Sequence, residues 1–229
     1  MLRRLSMIAL TLSVGAISNY AQSLDSLSYS AGMLIGGQIR QQVLPAMGKS
    51  FEGTPQHIDV DVFLEGLRAA VKQESGKMQQ AAAEQYFQKT ESAARTKAET
   101  AYREQNEQWL RNNQKQPGVK ITATGLQYKV IKEGNGPKPS DKDKVTVRYE
   151  GKFIDGTEFD SSYKRTPDTT TFPVSGVIKG WTEALQLMPV GSIWELYIPQ
   201  QLGYGTRQTG PIKAYSTLIF KIELLAIAQ

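Results

Sequence analysis

Apolar positions along this chain keep two rhythms, and the change from one to the other divides it. From Leu24 to Val43 they recur at helical spacing, at Leu27, Ala31, Leu34, Ile35, Ile39 and Val43, which predicts an amphipathic helix. Gly32, Gly36 and Gly37 each cost that helix about 1 kcal/mol against alanine, a loss that close approach of another helix would offset. Pro45, Gly48, Gly53 and Pro55 predict a loop, after which Asp59 or Asp61 caps a second helix carrying Val62, Phe63, Leu64, Leu67, Ala70 and Val71. A third helix is expected from about Lys77 to Asn112, free of proline and glycine and about 54 Å long at 1.5 Å per residue. Its alanines and few aromatics are scattered among Gln, Glu, Lys and Arg without a heptad register. That pattern suits a helix crossing solvent between two domains better than a coiled coil. Pro117-Gly118 ends the helical half.

Beyond Ile121 the period becomes two. Leu126, Tyr128 and Val130, then Val145, Val147 and Tyr149, alternate with polar residues, and residues 193–198 and 217–225 are also strand-like. Asp155-Gly156 marks a turn. One short helix is expected from about Ile178 to Leu187, stopped by Met188-Pro189-Val190-Gly191. The prediction is α+β: an antiparallel sheet with one helix, preceded by an all-α region. Two short helices and one exposed rod bury too little surface to fold alone, so the N-terminal half is expected to dimerise, with Met33 and Met47 as adaptable packing. The alternative is that these helices pack back on their own C-terminal half.

Residues 1–21 start with Arg3 and Arg4, continue through an apolar run from Met7 to Ile17 and end at Ala21, the pattern of a secretory signal peptide cleaved there. The run is too short to span a bilayer, so no stable membrane insertion is expected after cleavage. The chain has no cysteine, which removes thiolate catalysis and disulfides and accords with export to a Gram-negative periplasm. Its formal charge of +5 includes Arg3 and Arg4; the mature chain, with 25 basic against 22 acidic residues, argues against nucleic acid as a partner. His57 stands alone, no cluster has metal-ligand spacing, and no phosphate-cradling Gly-Lys-Ser/Thr occurs, so neither metal nor cofactor is expected.

Tyr149, Phe159-Asp160, Val177-Ile178, Trp181, Tyr204 and Phe220 form a set that lines a pocket but performs no acid–base chemistry, having one acid among them. Taken singly, each aromatic reads as core and Asp160-Ser161-Ser162 as a turn or cap. Their joint order is more specific. Val145-Thr146-Val147-Arg148-Tyr149-Glu150-Gly151, Asp155-Gly156-Thr157-Glu158-Phe159-Asp160-Ser161-Ser162, Val177-Ile178-Lys179-Gly180-Trp181 and Leu218-Ile219-Phe220 resemble the FKBP-type peptidyl-prolyl isomerases in order and spacing. Leu27-Ser28-Tyr29-Ser30-Ala31-Gly32, the long helix, Gly125-Leu126-Gln127-Tyr128 and the stretch from Gly180 to Pro189 are similar to the Mip/FkpA subgroup.

The resemblance implies a signal peptide (1–21), a helical dimerisation domain (22–76), a long connecting helix (77–116) and an FKBP-type domain (117–229) whose sheet wraps one short helix. It implies homodimerisation through the N-terminal helices, and as partners proline-containing or unfolded polypeptides and the family's macrolide ligands. In the pocket it puts Trp181 under the proline ring, with Tyr149, Phe159, Val177, Ile178 and Phe220 as walls and Phe172 and Ile212 as further wall candidates. Tyr204 and the Ile178 amide would bond substrate carbonyls, and Asp160 would act electrostatically. Two segments depart from the family: residues 208–215 are shorter and less proline-rich, and residues 163–171 are polar. The competing reading is a holdase that captures unfolded chains between the arms of a dimer without catalysing anything. A third is an interaction factor for a host or surface protein.

Overall fold

The computed structural model describes residues 24–228, so the expected leader lies outside the described residues. The chain divides into two compact units, Met1–Glu91 and Ser92–Gln229. In the first, helix α1 spans Leu24–Gln38 and passes through a π-helical turn, Ile39–Val43, into α2, Leu44–Lys49. The loop expected at Pro45 therefore begins later. The Leu44 N–H bonds Ile39 O across the wide turn, and Pro45 follows directly after it in the first turn of α2. Helix α3 spans Val60–Lys72, and of the two candidate caps it is Asp59 that serves, accepting from Val62 N at 3.0 Å. Helix α4 spans Gln80–Asn113. Phe51 is buried edge-on to Phe87 at 5.8 Å, and Ser50 Oγ donates to Glu91 at 2.7 Å. Leu27, Tyr29, Leu34 and Ile35 of α1 and Val62 and Val71 of α3 are exposed.

The second unit is built on strands β1 (Val119–Ile121), β2 (Gln127–Lys132), β3 (Lys144–Lys152), β4 (Glu158–Ser161), β5 (Thr170–Pro173), β6 (Ile193–Ile198) and β7 (Leu218–Ala228). They form one sheet in the order β1-β2-β6-β7-β3-β4, with β5 also on β3 and all pairings antiparallel. On β3 the period-two pattern buries Val145, Val147, Tyr149 and Gly151. That face, continued by Leu196, Ile198, Phe220, Ile222 and Leu224, packs against α5 (Lys179–Leu187) through Trp181, Ala184 and Leu185 to form the core.

The second half of α4 docks on the opposite face, where a helix crossing solvent was expected. Trp109 packs on Tyr197 at 5.7 Å, the neighbour of inward-facing Leu196. Asn113 Nδ2 donates to Gln127 Oε1 at 2.9 Å, and Gln127 Nε2 donates to Leu110 O at 3.0 Å. Buried amide side chains do this anchoring.

Candidate active site

The inner face of β3 presents Tyr149, and its backbone is gripped from both sides by Ser162. Ser162 N donates to Tyr149 O, and Tyr149 N donates to Ser162 Oγ, each at 2.9 Å. Ser161-Ser162 is therefore a clamp on the pocket strand as well as the end of a turn. Ordinary alternation would send Phe159 and Asp160 to opposite faces of β4. Gly151 pairs with Asp160 but Lys152 pairs with Glu158, so Phe159 is the extra residue of a β-bulge. The bulge re-aims it inward, and both residues serve the same side of the sheet. Gly151 leaves the room: a Cβ there would stand 2.7 Å from Phe220 and 2.8 Å from Phe159.

Trp181 enters from the first turn of α5. Gly180 seats that turn, since a Cβ at 180 would meet Ile198 at 2.7 Å. The indole is 4% exposed and meets three rings nearly edge to face: Phe220 at 5.1 Å, Tyr149 at 5.2 Å and Phe172 of β5 at 5.8 Å. Phe159 meets Phe220 at 5.4 Å. Ile212 is buried in the same cluster, and Val177, Ile178 and Tyr204 pack against it half-buried. The structure thus joins Tyr149, Phe159, Phe172, Trp181 and Phe220 in one aromatic basin, and places Val177, Ile178, Tyr204 and Ile212 in or against the core that contains it. Ile178 is the N-cap of α5 with an extended backbone, and its N–H donates to no acceptor among the described residues. The buried Trp181 Nε1 also has no partner there.

Asp160 stands at the rim. Its Oδ2 accepts the Tyr149 hydroxyl at 2.7 Å, and its Oδ1 accepts Ser161 N at 2.9 Å and pairs with Arg165. Arg165 also lies 5.7 Å over the Tyr149 ring. Burial, and then the bond to Asp160, push the Tyr149 phenol up to about 12, so at neutral pH it is a donor. Arg165 was missed in the sequence because it sits in the polar 163–171 segment. That segment is held by Arg165 N to Ser162 O at 2.9 Å and by Arg148 to Asp168 at 2.8 Å. An ion-paired acid that fixes a phenol beside an apolar basin can bind and orient an amide without moving a proton. A separate cleft of about 290 Å³, lined by Gln105, Gln108, Trp109, Asn112, Ile154 and Asp155, contains none of these residues.

Residues 136–225 match the family described as FKBP-type peptidyl-prolyl cis-trans isomerase, and residues 24–130 match the domain amino terminal to it. The peptidyl-prolyl cis-trans isomerase Mip of Coxiella burnetii is 39% identical over 213 residues, covering 90% of this chain and 87% of that protein. An outer membrane protein MIP of Legionella longbeachae is 40% identical over 216 residues, covering 90% and 86%. The crystal structure of FkpA from Escherichia coli superposes with a TM-score of 0.71 at 31% identity, covering 90% of this chain and 97% of that one.

Proposed function

Because this chain belongs to the FKBP-type peptidyl-prolyl cis-trans isomerases, and so accelerates rotation about X-Pro bonds, we propose that the aromatic basin under Asp160 is where it does so. The observation that carries this is the convergence of Tyr149, Phe172 and Phe220 on buried Trp181, with Phe159 edge-on to Phe220. X-Pro rotation faces a barrier of ~18–20 kcal/mol because amide resonance must be broken. The twisted amide has lost that resonance and much of its dipole. A dry aromatic floor under the proline ring therefore favours it over the planar, hydrated ground state. Tyr204 and the Ile178 N–H orient the substrate carbonyls flanking the bond, and Asp160, with its two oxygens tied, acts through its charge and by fixing Tyr149. No nucleophile or general base takes part.

The N-terminal helices supply the dimer in this reading, supported by the apolar side chains that α1 leaves exposed in a single chain and by the match to the amino-terminal domain. Residues 22–76 are its dimerisation domain, 77–116 its connecting helix and 117–229 its isomerase domain. Two basins on one dimer hold an unfolded exported chain at two points and gain avidity from effective concentration. The leader at 1–21 directs the protein to the periplasm or outer membrane. No described helix is long and apolar enough to cross a membrane, and one relative is named an outer membrane protein. Capture of unfolded chains beside catalysis is a second reading, favoured by Val62, Leu64 and Val71 exposed on α3.

The test is exchange of cis and trans forms in a short peptide with a bulky apolar residue before proline, using residues 22–229. Acceleration that scales with enzyme, is blocked by a macrolide and is lost in Trp181→Ala supports the basin. Full activity in Trp181→Ala refutes it.

A further inference from the structure

The basin has one wall without regular structure, the segment from Gly203 to Thr217 that carries Tyr204 and Ile212. Its backbone includes Tyr215 at φ 64, a conformation that costs a non-glycine residue about 1 kcal/mol or more and persists only where its surroundings hold it. Tyr215 N donates to Gly205 O at 2.8 Å, closing the segment on itself. The rest of the hold comes from α4. Asn106, 1% exposed, accepts Thr217 N at 2.8 Å and donates to Tyr102 O at 2.9 Å. The Ser216 hydroxyl donates to Lys213 O at 2.8 Å, so in its 2.9 Å contact with Tyr102 the tyrosine hydroxyl is the donor. Lys213 Nζ lies 5.4 Å over the Tyr102 ring, and Arg103 lies 5.7 Å over that of Tyr215.

Resting on the assignment of the basin as the substrate site, we propose that Tyr102 and Asn106 of α4 are positioning residues for isomerisation, holding the 203–217 segment so that Tyr204 and Ile212 face the substrate. Asparagine is a poor residue for a helix interior, and burying one is favourable only when its amide is satisfied. Here both ends of the Asn106 amide are used, and one of them fixes the backbone where the segment enters β7. Helix α4 thereby braces the pocket's wall from behind, without reaching the substrate.

The experiment compares Asn106→Ala, Tyr102→Phe and Asn113→Ala in residues 22–229. Asn113 anchors the same helix to β2 through Gln127 but touches no residue of the 203–217 segment in the contacts above. Asn106→Ala is expected to lower kcat/KM about tenfold and Tyr102→Phe about threefold, mainly through KM, the loss of a buried hydrogen bond translated into substrate affinity. Amide exchange at Ile212 and Thr217 should accelerate in both, while β3 amides stay protected. Asn113→Ala should leave kcat/KM within about twofold, because it removes a bond of the same class outside the segment. Tyr102→Phe and Ser216→Ala should be non-additive.

Unchanged kcat/KM and unchanged exchange in Asn106→Ala and Tyr102→Phe would overturn the proposal. An equal loss in Asn113→Ala would overturn it too, by assigning the effect to helix docking in general. Full activity in Trp181→Ala sinks the basin itself and this proposal with it. That failure is recognised separately, because exchange in 203–217 would still respond to Asn106→Ala.

Discussion

Replacing Gly151 by alanine adds one methyl group to the floor of the basin. The new Cβ would stand 2.7 Å from Phe220 Cε1, 2.8 Å from Phe159 Cζ and 2.9 Å from Phe159 Cε2. Carbon atoms pack at ~3.5–4.0 Å, so each ring must yield about 0.8 Å. Neither ring is free to do so at no cost. Phe220 is 6% exposed and lies edge-on to Trp181, and Phe159 is wedged between Phe220 and Phe153, the latter at 4.8 Å. Overpacking of this kind costs about 1–3 kcal/mol. A misplacement approaching 1 Å at a positioning surface costs up to about 10²-fold in rate. We expect Gly151→Ala to lower the melting temperature of the isomerase domain by several degrees and to reduce kcat/KM about 10- to 100-fold. Thermal melts and the peptide exchange assay would be run on the same preparation. Wild-type values in both would mean that the rings move aside freely and that the close packing of the basin is not what catalysis uses.

Asp160→Leu leaves the buried Tyr149 hydroxyl without its acceptor and should destabilise by about 1–3 kcal/mol and abolish isomerisation, while any ability to suppress aggregation survives. Loss of both functions together would sink their separation. Asp160→Asn keeps an acceptor, so it should melt near wild type, and its residual activity measures the contribution of the charge. Because Tyr149 ionises at about 12 when folded and near 10 when unfolded, the unfolded chain gives up its proton first. Stability present in full below pH ~10 should fall by up to roughly 3 kcal/mol as pH rises toward 12, a slope that urea midpoints would show flattened in Tyr149→Phe. Gly36 has nothing within 4 Å of an added Cβ in the single chain, so Gly36→Ala should strengthen α1 by about 1 kcal/mol. If a second copy packs there, sedimentation should instead show more monomer. A protein beginning at Ser92, which keeps Asn106 and Asn113 against the sheet, should sediment as a monomer where residues 22–229 sediment as a dimer.

Alternation made β3 readable, because it buries one face against a helix and leaves Thr146, Arg148, Glu150 and Lys152 on the other. The short helix was equally plain, with Met188-Pro189 as its stop. Three features were not legible. Pro45 reads as a breaker, and only the π turn before it shows how the helix passes through. Phe159 and Asp160 are adjacent, so their shared face depends on a bulge that is set by pairing with β3 and has no residue signature of its own. Asn106 and Asn113 are indistinguishable by composition from the solvated residues around them, and their burial is decided by what the sheet offers at Thr217 and Gln127. Arg165 had a faint signal, a cation five residues after the only acid of the pocket, but nothing in the polar 163–171 segment said that the chain turns back.

Strand β7 lies between β6 and β3, yet among the described strands it comes last in the chain. Until residues 218–228 have been synthesised, the sheet exists as two unconnected pieces, β1-β2-β6 and β3-β4-β5, and the basin lacks Phe220. Contacts of such long sequence separation form late and slowly. A nascent chain therefore cannot close this domain prematurely. A chain truncated before residue 218 should fail to complete the sheet, because nothing joins β6 to β3.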